Sequence, residues 1–157
     1  MRRIAVGIAA LLLISGCGSA TAADTLPDAT LPCLSGDCSV DLSTLRGPMV
    51  INLWASYCAP CREEMPHIQQ FATTYAGKVE VLGVDYYDDT RAGREFAKSV
   101  GATYRMVVDA KPVIRAPALP VTILLDRDGS IAYQQPIAIE SEAQLEQLVE
   151  QHLGVSR

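Results

Sequence analysis

The chain has 157 residues, 49% hydrophobic and 20% charged, with a formal net charge of −5. That length suits one ordinary domain with a real core, and the acidic balance excludes a nucleic-acid partner and electrostatic adhesion to anionic lipid. Five cysteines are present: Cys17 stands alone, while Cys33 and Cys38, and Cys58 and Cys61, form two close pairs.

Arg2 and Arg3 precede an apolar stretch from Ile4 to Ile14 that ends in Ser15-Gly16-Cys17. This is a charged n-region, a short h-region and a small-residue cleavage site. The apolar run falls short of the roughly 20 residues a membrane span needs. Ile14-Ser15-Gly16-Cys17 resembles a bacterial lipobox, where cleavage leaves a lipidated N-terminal cysteine. The alternatives are an ordinary secretory signal and an uncleaved anchor. All three place the domain outside the cytoplasm. The expected organisation is a signal peptide over 1–16, a tether over 17–25 and a domain over 26–157. Losing Arg2 and Arg3 takes the charge from −5 to −7. Acyl chains on Cys17 would then anchor the protein to the outer face of the bacterial cell membrane.

Leu26 to Val40, with two prolines, a glycine and two cysteines, predicts a loop or hairpin. Asp41 to Leu45 predicts one helical turn, stopped by Arg46-Gly47-Pro48. Residues 49–55 read as a strand buried on both faces apart from Asn52. Residues 59–76 read as a helix with Met65, Ile68, Phe71, Ala72 and Tyr75 at helical spacing, bent at Pro66. Val79 to Tyr86 is a second strand. Asp89 caps a helix running to about Val100, and Tyr104 to Val108 is a shorter strand. Residues 109–119, with Pro112 and Pro117, form an irregular connection. Asp126-Arg127-Asp128-Gly129-Ser130 turns a hairpin between 121–125 and 131–135. Ser141 and Gln144 make a capping box for a last helix with Leu145, Leu148, Val149 and Leu153 on one stripe. This order implies an α/β domain whose mixed central sheet has helices on both faces, with an N-terminal hairpin or loop extension.

The chemistry centres on Cys58-Ala59-Pro60-Cys61, at the junction of a strand and a helix. A cysteine reacts as thiolate, and a helix N-terminus stabilises that anion with unpaired N–H groups and the positive end of its dipole. Cys58 is therefore the expected nucleophile, and Cys61, one turn further in, the more sheltered resolving cysteine. Pro60 pre-sets the first-turn backbone and brings no unpaired N–H.

The segment from Asn52 to Pro66, NLWASYCAPCREEMP, resembles the active-site segment of the thioredoxin superfamily. More narrowly it resembles the tethered extracytoplasmic TlpA/ResA-like branch. Leu119-Pro120 and Leu125-Asp126-Arg127-Asp128-Gly129 continue the match in order, over roughly residues 26–153. The resemblance implies a thioredoxin-like fold and a thiol-disulfide oxidoreductase whose dithiol is itself the reactive group, with no separate cofactor. It implies a cis-proline at Pro120 and substrate seating by Leu119. It makes Glu64 the proton-handling acid, because Asn52 stands where thioredoxins carry a buried Asp. Tyr57 stands where Trp is common and Ala59 where Gly is common. Trp54 and Tyr57 are candidates for a contact surface with substrate, simple core packing being the alternative for Trp54.

In an exported protein Cys33 and Cys38 suit a structural disulfide, with a second redox pair as the alternative. Cys33-x4-Cys38 followed by Cys58-x2-Cys61 also approaches a four-cysteine zinc pattern, but oxidation outside the cytoplasm and the α/β alternation favour no metal. His67 and His152 read as surface residues. The expected activity is electron exchange with cysteine-containing extracytoplasmic proteins, leaning to reductant as in cytochrome c maturation and drawing on a membrane redox partner. The alternatives are an oxidant in disulfide formation and a non-catalytic binding lipoprotein.

Overall fold

The computed structural model describes residues 25–157; the expected signal peptide, Cys17 and the expected tether as far as Asp24 lie outside them. The apolar run after Pro48 forms the central strand. It pairs on both sides and every one of its residues is buried, which is why it carries no polar alternation.

In chain order the elements are β1 (Thr30–Pro32), β2 (Ser39–Asp41), a 3-10 turn (Leu42–Thr44), β3 (Met49–Trp54), α1 (Ala59–Thr74), β4 (Glu80–Tyr86), α2 (Thr90–Ser99), β5 (Arg105–Asp109), β6 (Val121–Leu125), β7 (Ile131–Gln135) and α3 (Glu142–Leu153). β1 and β2 form a separate hairpin, and the other strands form one sheet in the order β5-β4-β3-β6-β7. β4 runs parallel to β3 and β5, while β6 runs antiparallel to β3 and β7.

One face of the sheet carries all three α-helices. There Val50 and Leu124 meet Ile68, Phe71, Leu145 and Val149, and Trp54, Met106 and Val108 meet Cys61, Met65 and Phe96. The other face is covered too, but without a long helix. Ile51, Leu53, Val107 and Ile123 pack on Leu31 and Val40 of the hairpin, on Leu42 of the 3-10 turn and on Ile114 of the connection. Each such buried aliphatic side chain contributes about 1.5–3 kcal/mol relative to exposure.

The predicted N-caps form: Asp89 accepts from Arg91 N and Ala92 N, and Ser141 Oγ accepts from Gln144 N at 3.2 Å. The capping box does not close on Ser141 N, because Gln144 Oε1 accepts from Glu140 N at 2.7 Å instead. Helix α1 continues through Pro66 to Thr74. His67 and His152 are half-buried rather than surface residues, and the His152 ring lies 4.6 Å from that of Tyr133.

Candidate active site

β3 ends at Trp54, and after a short turn Cys58 caps the N-terminus of α1. Its Sγ accepts from Cys61 N at 3.3 Å, so the sulfur takes up one of the donors that an α-helix leaves unpaired at its start. Cys58 and Cys61 are joined by a disulfide with S–S 2.00 Å. Cys58 keeps 8% exposure while Cys61 is fully buried. Cys58 is thus the less enclosed residue of the pair.

Glu64 lies one turn after Cys61 and is only 1% exposed. The two side chains are i, i+3 neighbours on one helix face. Asn52 Nδ2 donates to Glu64 Oε1 at 2.7 Å, and Ile139 N donates to Oε2 at 3.0 Å. Burial raises this carboxyl from 4.5 to about 7, against the two donors, which favour the anion. Asn52 and Glu64 therefore form one unit across the β3–α1 interface. Asn52 Oδ1 has no partner. Turning the amide over would present that oxygen to a protonated Glu64, so Asn52 can serve both charge states of the acid. Tyr104 also faces this region, with a buried, unpartnered hydroxyl. Its pKa is raised, first by burial and then by Glu64.

Trp54 requires a correction. It is fully buried and stacks on Phe96 at 5.3 Å between ring centroids, so it cannot meet a docked substrate. Its place on the helix-covered face depends on Gly83, where a Cβ would lie 2.9 Å from both Trp54 Nε1 and Met106 Cγ. Tyr57 is 65% exposed, and its hydroxyl donates to the Tyr87 carbonyl at 3.4 Å. Tyr87 is 66% exposed and has φ +51, a conformation a bulky residue seldom adopts. A shallow cleft of about 460 Å³ opens beside the disulfide, lined by Tyr57, Cys58, Pro60, Tyr86, Pro117 and Leu119 among others. The Leu119–Pro120 peptide bond is cis, and β6 starts at the next residue.

Cys33 and Cys38 form the second disulfide, with S–S 1.95 Å. The four cysteine sulfurs of the described residues are thus taken up pairwise. No group of three or more His, Cys, Asp or Glu side chains is placed to hold a metal among the described residues. Leu34, from inside the small disulfide ring, is buried in the same cluster as Cys58 and Cys61.

Sequence reasoning missed Asp85 and Asp88. Asp85 lies at the end of β4, in register with Trp54, and is fully buried. Its carboxyl is raised from 3.8 to about 8, first by burial and then by Asp88. Asp88 in turn accepts from Ser56 N and Ser56 Oγ. An acid inside an otherwise apolar strand run was the available signal.

The sequence profile of the AhpC/TSA family matches residues 22–135. The chain belongs to that family. It is 32% identical over 112 residues to the thioredoxin-like protein YneN of Bacillus subtilis, covering 67% of this chain and 65% of the relative. It is likewise 32% identical over 113 residues to the thiol-disulfide oxidoreductase ResA of Geobacillus kaustophilus, covering 68% of this chain and 64% of the relative. The match thus spans somewhat less than two thirds of these relatives' own length. Among solved structures, a DsbF homologue from Corynebacterium diphtheriae superposes with a TM-score of 0.70 at 22% identity, covering 91% of this chain and 99% of that one. The fold of this family member is thioredoxin-like.

Proposed function

We propose that this protein is a thiol-disulfide oxidoreductase that exchanges electrons with cysteine-bearing proteins outside the cytoplasm. The observation that carries the reading is the Cys58–Cys61 disulfide at the start of α1, with the buried acid Glu64 one turn behind it. In the reducing direction, the Cys58 thiolate attacks a substrate disulfide and one substrate sulfur leaves as a thiolate that takes up a proton. Glu64 accepts the proton of Cys61, whose thiolate attacks Cys58 Sγ and releases the second substrate sulfur as a thiolate that also takes up a proton. The protein ends as the Cys58–Cys61 disulfide and the substrate as a dithiol, two electrons having passed. An acid titrating near 7 is suited to moving that proton at neutral pH. Tyr57 and the Leu119–Pro120 segment seat the substrate in the cleft beside Cys58, and Cys33–Cys38 is a structural brace of the N-terminal hairpin.

Glu64 also supports the reductant direction. A carboxylate next to Cys61 disfavours its thiolate, whereas a strong oxidant of this fold owes its potential to a stabilised reduced form. Cleavage before Cys17 and lipidation of that residue, with a tether over 17–25 and the domain over 26–157, would hold the dithiol near a membrane redox partner. Reduced protein should cleave the disulfides of a test protein, and Cys58→Ala should abolish turnover. Equal turnover by the variant would remove the enzymatic reading. Dithiols of this fold span about −270 to −120 mV. A midpoint near the lower end agrees with a reductant, and one near the upper end overturns the direction.

A further inference from the structure

The turn that presents Cys58 is held from the side by the segment following β4. Asp88 accepts from both the backbone N–H and the hydroxyl of Ser56, two residues before the nucleophile, and from Asp89 N. Directly behind Asp88 lies Asp85, fully buried, with no N–H or O–H donor reaching either carboxyl oxygen. The Asp88 carboxyl, three residues on, is the polar neighbour that most favours its protonated form. Two carboxylates so placed repel one another; with one proton between them they form a bond.

The surroundings fix which one carries it. α2 presents the backbone of Gly93, so close that an added Cβ would overlap Asp85 Oδ2. The register neighbours from β5 and β3 are Val108 and Trp54, whose buried indole N–H has no partner and does not reach Asp85. The charges that face Asp85 are those of Asp88 and Asp89, both negative. Arg94 of α2 is engaged elsewhere, with the Leu34 carbonyl. Tyr57 adds a phenol whose pKa is raised, by burial first and Asp88 second, and which is therefore neutral in this range. Asp88 is half-buried with three donors on its oxygens, whereas Asp85 is fully buried with none, so a proton shared between the two sits on Asp85.

We propose that Asp85, as a neutral carboxylic acid, donates its proton to Asp88 and thereby holds Asp88 against Ser56, fixing the turn that presents Cys58. Asp85 is a positioning residue; it touches neither cysteine. Its consequence for Cys58 rests on the exchange activity proposed above, whereas its effect on Ser56 does not. Loss of the proton sets two like charges against each other and drives Asp88 away from Ser56.

The test follows the Ser56 amide by NMR hydrogen exchange between pH 6 and 9.5, corrected for intrinsic base catalysis, alongside alkylation of Cys58 in the reduced protein. In the wild type the Ser56 protection factor should fall at least tenfold through about pH 8, with a matching step in the alkylation rate. In Asp85→Asn the amide donates to Asp88 at every pH, so protection should stay flat and the Cys58 profile should keep only the titration of the thiol itself. Asp85→Leu has no donor and should leave Ser56 unprotected even at pH 6. Should that variant fail to fold, wild type and Asp85→Asn still decide the matter. A flat wild-type profile, or the same step in Asp85→Asn, overturns the proposal. Absence of turnover on protein disulfides, with the Ser56 step intact, would count against the activity and not against this clamp.

Discussion

Replacing Glu64 by glutamine removes one titration and little else. In Glu64→Gln the new amide can accept from Ile139 N through its oxygen and donate to Asn52 Oδ1 once the Asn52 amide is turned over, so both contacts of position 64 are kept and the one unpartnered Asn52 atom becomes Nδ2 in place of Oδ1. In the wild type the carboxyl titrates near 7 in the fold and near 4.5 when exposed. At 1.36 kcal/mol per pH unit, that difference is about 3 kcal/mol. The sign follows from linkage: between these values the folded state holds the proton that the unfolded chain has released, so stability falls as pH rises. The stabilisation is complete below about 4.5 and gone above about 7. Urea unfolding of the oxidised proteins at intervals from pH 4 to 8 reads it directly. The wild type should lose about 3 kcal/mol more than Glu64→Gln over that span, roughly 10 °C in Tm for a domain of this size. Asp85 contributes its own decline to both proteins and drops out of the difference. Parallel curves would mean that Glu64 is already ionised near its ordinary value, and that burial does not hold its proton.

Cys61→Ala should accumulate mixed disulfides between Cys58 and substrate proteins in cells, visible on non-reducing gels; trapping by Cys58→Ala instead would reverse the roles of the two cysteines. Gly83→Ala should destabilise by about 1–3 kcal/mol in denaturant unfolding, because its Cβ would press on Trp54 Nε1, Met106 Cγ and the Tyr104 ring; a neutral effect would show that the indole has room to move. Removing both Cys33 and Cys38 as serines should cost about 2 kcal/mol, the chain-entropy value for so small a ring, with disulfide exchange at Cys58 retained; loss of exchange would make the second pair part of the redox chemistry. The only tryptophan of the chain is Trp54, in one cluster with both active-site cysteines, so its fluorescence should change on reduction of Cys58–Cys61 in wild type and remain constant in Cys58→Ala.

The strand–helix alternation was legible because apolar periodicity and capping residues act locally: Asp89, Ser141 and the run after Pro48 behave as their neighbours dictate. The cover on the sheet's second face was not, because nothing in Leu31, Val40 or Ile114 states which side of a sheet a short segment will take. Asn52 and Glu64 were both recognisable, but as alternatives rather than as partners, since their bond depends on how α1 lies across β3. Trp54 was misplaced because its neighbour in sequence is close to the dithiol while its side chain follows the pleat inwards. Asp85 was hidden by the apolar run around it, and its companion Gly93 has meaning only once α2 is packed on β4.

One of the two groups holding Glu64 is a main-chain N–H, that of Ile139, 75 residues away in the segment leading into α3. A main-chain donor is indifferent to the side chain it belongs to. Proline at position 139 would remove the donor outright, having no N–H to give, and any other change there reaches the acid only by moving the backbone of this buried core residue. The strength of the acid is instead tied to where the C-terminal helix sits. Anything that shifts α3 by an ångström, such as a protein leaning on it or a fusion after Arg157, would change the hydrogen bonding of Glu64 while leaving every residue around the cysteines in place.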